Sequence, residues 1–157
     1  MFREIRRRDR ALSEVEAREI LARADHGALA TVGADGWPYS VPLNHVLTGD
    51  LLYMHSALEG HKLENIANEE RVSFCAVASA SVIPEKLSVL YESAVIFGRA
   101  SLVTDAAEKR RALELLAQRF YTDFPDKAAE AITRDGPRTV IIRIHIERIT
   151  GKAHYLK

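Results

Sequence analysis

Between Ala28 and His55 the chain reads ALATV, GADGW, PYSVPLNHVL, TGD and LLYMH in succession. The first, third and fifth pieces are apolar or alternating runs of strand length, and the pieces between them are turns rich in Gly and Asp. Parallel neighbours need a crossover of a dozen or more residues, and these turns are far too short for one. The runs 28–32, 38–47 and 51–55 are therefore expected to form an antiparallel meander. Pro38 and Pro42 fall inside the middle run. Proline has no N–H to give to a ladder, so that strand needs an edge, a bulge or a ligand along part of its length.

Three more strands are expected downstream. Residues 71–80 (RVSFCAVASA) form an apolar run. A loop with Pro84 spans 81–88, and a long strand follows over 89–103, with Gly98 marking a bend or bulge. The last strand, 138–149, alternates from Ile142 onward: Ile142, Ile144 and Ile146 on one face, Arg143, His145 and Glu147 on the other. The tail from Thr150 is polar and short. Helices are fewer. Ser13 and Glu16 have capping-box spacing. Ala17, Ile20, Leu21 and Ala24 make one apolar face, and Gly27 suits a left-handed helix end. A second helix is read over 59–68 with Leu63, Ile66 and Ala67 inward. A third follows Asp105 and Glu108, with Leu113, Leu116, Ala117 and Phe120 as its apolar face. Phe124-Pro125 interrupts it before a short helix over 126–133. Six strands with short connections imply a mainly β fold, an antiparallel sheet that removes its edges by closing into a barrel with flanking helices. Residues 1–157 read as one domain, with a basic arm over 1–12 that is solvated or packed on a neighbouring subunit.

Charge and composition narrow the function. The 22 basic and 22 acidic residues cancel, which argues against broad electrostatic binding to nucleic acid. No apolar run is long enough for a membrane span. The first residues, MFREIRRRDR, lack the apolar centre of a secretory signal. The single cysteine, Cys75, cannot form an internal disulfide and reads as a small core residue inside an apolar strand. A cytoplasmic location is the expectation. The six histidines lack the helical i, i+4 pairing of a zinc protease, so no metal site is expected. Ser56 lacks the G-x-S-x-G context of a nucleophile. Neither a Rossmann nor a Walker loop occurs.

The stretch YMHSALEGHKLENIAN, 53–68, holds the concentrated polar chemistry. It reads as a strand end, a turn and a helix start. Helix N-termini carry open N–H groups and partial positive charge, and Lys62 in the first turn adds a full one. Such a turn can seat a phosphate or can be an ordinary solvated turn, and its residues alone leave both open.

Five segments together resemble a known family: RRRDR at 6–10, GALATVGADGWPYSVPLN at 27–44, YMHSALEGHKLENI at 53–66, YESAVIFGRA at 91–100 and ITGKA at 149–153. They resemble the FMN-binding split-barrel proteins related to pyridoxamine 5′-phosphate oxidase, and most of all their nitroimidazole-resistance, nitroreductase-like branch. The H-S-A-x-x-G-x-K element is the most specific part. The resemblance implies a six-stranded antiparallel split β-barrel that forms a homodimer, with FMN at the subunit interface and a small-molecule substrate. It implies that His61 and Lys62 hold the FMN phosphate, with His61 where relatives usually have arginine. Ser56 would face the phosphate and ribityl region. Val41, Pro42, Leu43 and Asn44 would run along the flavin ring. His55 would sit beside the ring as the catalytic proton donor, and Ser93 would reach the ring's pyrimidine end across the interface. The oxidases' C-terminal Arg-x-His motif after a tryptophan has no counterpart, since the chain ends ITGKAHYLK and its one tryptophan is Trp37. Oxidation of pyridoxamine phosphate is therefore not expected. The function implied is an FMN-dependent oxidoreductase reducing a small organic acceptor. The alternatives are an FMN storage or sensor protein, or a relative that binds haem or a deazaflavin.

Overall fold

A computed structural model describes residues 2–155. Eight antiparallel strands make one sheet: β1 (Ala11–Leu12), β2 (His26–Val32), β3 (Pro38–Asn44), β4 (Val46–Thr48), β5 (Leu51–Ser56), β6 (Arg71–Ile83), β7 (Ser88–Leu102) and β8 (Val140–His154). Four α-helices accompany them: α1 (Glu14–Arg23), α2 (His61–Asn68), α3 (Ala106–Phe120) and α4 (Pro125–Asp135). The strand order is β3-β2-β6-β7-β8-β5-β4, with β1 added beside β8. β3 and β4 occupy opposite ends of that path, yet a single residue, His45, separates them in sequence. The sheet must curl until its ends meet, and the covalent chain closes it where no ladder does. The mainly β, antiparallel barrel expected from the turns is found, split as the resemblance implied, with two more strands than the six counted.

The differences have local causes. The run 38–47 divides at His45, because its first part pairs with β2 and its last part with β5. α1 stops at Arg23, with Ala24 already extended. Gly27 is a β2 residue packed against the Phe74 ring, where an added Cβ would lie 2.4 Å from the ring. The loop expected over 81–88 is the tip of a long hairpin, since β6 runs to Ile83 and β7 starts at Ser88. β8 continues through the expected polar tail because residues 150–154 pair with β7. Near Gly98 the register of β7 on β8 shifts, the bulge that glycine suggested. This shift moves the buried parity from Ile142, Ile144 and Ile146 to Ile149. Cys75 is exposed, because its neighbours Phe74 and Ala76 take the inward positions.

The barrel core is formed by Leu29, Leu52, Met54, Phe74, Ile96 and Ile144, and α1 adds Ile20 and Leu21 to it. A second core lies outside the barrel, where Ala112 and Leu116 of α3 cover Tyr53 and Ile141. A polar clasp holds α3 there. The Tyr53 hydroxyl donates to Glu108 at 2.8 Å, and Arg143 of β8 reaches the same carboxylate at 3.0 and 3.1 Å. Burial, and then that hydrogen bond, push the Tyr53 phenol up to about 12. Arg119 ties the far end of α3 to the carbonyls of Ala22 and Ala24 at the end of α1. Among the described residues no helix is long and apolar enough to cross a membrane.

Candidate functional site

The seam where the barrel fails to close runs along β3, which has a ladder partner on one side only. Gly33 N–H donates to the Trp37 carbonyl at 2.9 Å, which makes the adjacent Val32–Pro38 pair a non-hydrogen-bonded one. Pro42 lies four residues on in an unbroken register and has the same parity. At that parity the backbone groups point away from β2. Each proline thus sits where its missing N–H removes nothing from the ladder. The N–H groups of Ser40 and Asn44, and the carbonyls of Pro38, Ser40, Pro42 and Asn44, face the open edge. The side chains of Val41 and Leu43 turn inward and pack on the barrel core.

β5 delivers two polar side chains to its end. Strand alternation sends Ser56 inward and His55 outward. The Ser56 hydroxyl is buried and has no hydrogen-bond partner among the described residues. After a four-residue turn, α2 begins behind Gly60, whose φ of 135° is one that residues with a Cβ rarely adopt. No side chain caps this helix; the Leu63 and Glu64 N–H groups donate to the Gly60 carbonyl, and those of His61 and Lys62 stay open. The helix starts two residues later than expected, which leaves both residues in the first turn.

Contacts that the sequence did not reveal fix α2 against the seam. The His61 ring lies on Tyr39 of β3, with centroids 4.4 Å apart. Asn65 is buried and donates to the Thr31 hydroxyl at 2.9 Å, and that hydroxyl reaches the Tyr39 carbonyl at 3.5 Å. Thr31 lies beside Tyr39 only through the β2–β3 register, so no local motif could have announced the link.

At the other end of β3, Asn44 donates to the Asp25 carbonyl at 2.7 Å. Asn44 and His55 both line a cavity of about 300 Å3 between the barrel and the α3–α4 pair. From Tyr39 to Asn44 the open edge spans roughly 17 Å at strand rise. The structure thus joins Asn44 to His55 at one end of the open edge and Tyr39 to His61 at the other, with Ser56 and Lys62 on either side of the turn between β5 and α2. Ser93 stays apart. Its row runs from Asn44 through His26 and Val77, three strand spacings or roughly 14 Å across the sheet. Its hydroxyl donates to the Lys152 carbonyl at 3.4 Å. Among the described residues no group of three or more His, Cys, Asp or Glu is placed to hold a metal.

A barrel split along one strand, with a polar seam and an open helix start beside it, defines the class: an antiparallel split barrel. The chain belongs to the pyridoxamine 5′-phosphate oxidase family, whose sequence description matches residues 13–153. No curated protein matches it. Solved structures similar to it include an FAD-binding protein from Mesorhizobium loti, 27% identical, with a TM-score of 0.70, covering 93% of this chain and 98% of that one. A candidate 5-nitroimidazole antibiotic-resistance protein from Bacteroides thetaiotaomicron is 24% identical, with a TM-score of 0.74 over 91% and 86% of the two chains. An FAD- and haem-binding protein from Mycobacterium smegmatis is 23% identical, with a TM-score of 0.75 over 92% and 72%.

Proposed function

We propose that this chain is an FMN-binding oxidoreductase that acts on a small organic acceptor as a homodimer. The observation that carries the reading is the Ser56 hydroxyl, buried at the seam with no partner. Leaving a buried hydroxyl unpaired costs about 1–3 kcal/mol, a cost that a ligand accepting its hydrogen bond removes. The other groups at the seam fit the same ligand. The open first turn of α2, with Lys62, suits a phosphate. The unpaired N–H and C=O groups of β3 suit the alternating donors and acceptors of a flavin ring edge. The family and the FAD-binding relative support a flavin in particular.

Bound FMN supplies the redox chemistry. Lys62 and the first N–H groups of α2 would hold its phosphate, beside the His61 ring that packs on Tyr39, and the open edge of β3 would meet the flavin ring. His55, on the outward face of β5, is the group that can exchange a proton with an acceptor at the cavity. The test begins with a fluorescence titration of the purified chain with FMN, and with NADH or NADPH as reductant. Lys62→Ala is expected to weaken FMN binding by about 1.5–3 kcal/mol, the worth of a charged hydrogen bond. An unchanged affinity would remove Lys62 from the phosphate site. A chain that takes up FMN but whose flavin no nicotinamide reduces would be a storage or sensor protein.

A further inference from the structure

The cavity beside His55 belongs to two helices that fail to seal against each other. The i, i+3, i+4, i+7 face of α3 should lie wholly in a core. Instead only Leu116 is buried, while Leu113, Ala117 and Phe120 stay partly open and line the cavity. α4 has the same property. Its apolar residues Ala128, Ala131 and Ile132 face α3, yet not one residue of α4 is buried. Two apolar helix faces thus meet across an unfilled volume of about 300 Å3, at the lower end of the range for small-molecule sites. The polar lining is sparse. His55 and Asn44 stand at the seam, Tyr121 follows α3, and Asp135 and Thr139 lie at and beyond the foot of α4, the Asp135 carboxylate paired with Arg134 at 2.7 Å. Among the described residues no lysine or arginine lines the space.

We infer that this cavity is the acceptor site, built for an uncharged one- or two-ring aromatic or quinone whose polar oxygen meets His55. The apolar walls favour a flat unsaturated ring system, and the His55 imidazole offers a hydrogen bond to a carbonyl or nitro oxygen. The Asp135 carboxylate is already neutralised by Arg134, so an anion would enter apolar walls with no cation to pair with and would lose its hydration there. That the occupant is an acceptor of electrons rests on the flavin reading. That the cavity binds it does not.

The two claims separate in one experiment. Equilibrium dialysis of the full-length protein against menadione, an uncharged naphthoquinone, measures occupancy, and naphthoquinone-2-sulfonate serves as its anionic counterpart. FMN affinity is measured in parallel. Ala131→Phe fills the cavity from α4. Ala129→Phe adds the same bulk to a neighbouring position outside it. Menadione is expected to bind wild type and Ala129→Phe alike and Ala131→Phe at least about tenfold more weakly, with FMN affinity held in all three. The sulfonate should bind wild type more weakly than menadione. Should Ala131→Phe not fold, Ala131→Leu replaces it with the same expected order. Menadione binding that ignores both Ala131 variants, or that is absent in wild type, overturns the proposal. Loss of FMN and menadione together in a folded Ala131 variant also overturns it, because the cavity is then the flavin's own seat. Menadione binding that depends on Ala131 in a chain that takes no FMN upholds the cavity and refutes the flavin reading.

Discussion

His45 fills the joint between β3 and β4, fully buried, with its ring edge against Phe74. Nε2 lies 2.7 Å from the Leu21 carbonyl, so the neutral ring donates there, and Nδ1 has no partner. Burial pushes the imidazole from 6.5 down to about 4. Protonation therefore favours the unfolded chain. The stability that depends on neutral His45 is complete above pH 6.5 and is lost as pH falls toward 4, by about 3 kcal/mol. His45→Gln, which cannot titrate, should lose less stability than wild type between pH 7 and pH 4.5 in urea unfolding. Equal losses would place the acid sensitivity elsewhere. Nothing in PLNHVL marks this histidine as a joint. The run alternates well enough to read as one strand, and only the two ends of the sheet path show why it must break there.

At the scale of elements, the seam is held by the way α2 sits on β2 and β3. The Asn65–Thr31 hydrogen bond is its buried polar tie, and the Tyr39–His61 stack is its outer one. Asn65→Ala should cost about 1–3 kcal/mol in urea unfolding, since Thr31 keeps only a long contact to the Tyr39 carbonyl. It should also weaken FMN binding, because the first turn of α2 then lacks a fixed position against β3. A double-mutant cycle with Thr31→Ala should return a coupling of about 1 kcal/mol. A coupling near zero would mean that α2 is held by Leu63 and Ile66 alone. The helix and both strands were legible in the sequence because apolar periodicity and turn residues are local signals. So were the edge character of β3, given by its prolines, and the bulge near Gly98. The tie between the elements was not legible, since it depends on register between segments more than thirty residues apart.

At the scale of the molecule, one face of the sheet remains uncovered by the chain's own helices. Pro42, Ala28, Cys75, Val95 and Thr150 follow one another across five strands on this outward face, and Val77, Ser93 and Lys152 make the next row. Val77 and Phe97 are exposed there, and the β6–β7 hairpin carries Val82 and Leu87, 97% exposed at its tip, away from the barrel. Apolar surface gathered on one face and one arm is the usual mark of a protein partner. It also answers the position of Ser93, which cannot reach the seam of its own chain but shares this face with Val77. If a second copy covers the face, Ser93 can approach the partner's seam, and each flavin site needs both chains. Val77→Glu places a charge at the centre of the face and should convert a dimer to a monomer by light scattering. It should also sharply weaken FMN binding, although Val77 touches none of the seam residues. Ser93→Ala in the dimer should weaken FMN binding by about 0.5–1.5 kcal/mol, one neutral hydrogen bond, without altering the mass. A Val77→Glu monomer that binds FMN as tightly as wild type would mean that the seam is complete in one chain, and that Ser93 serves the sheet through Lys152 alone.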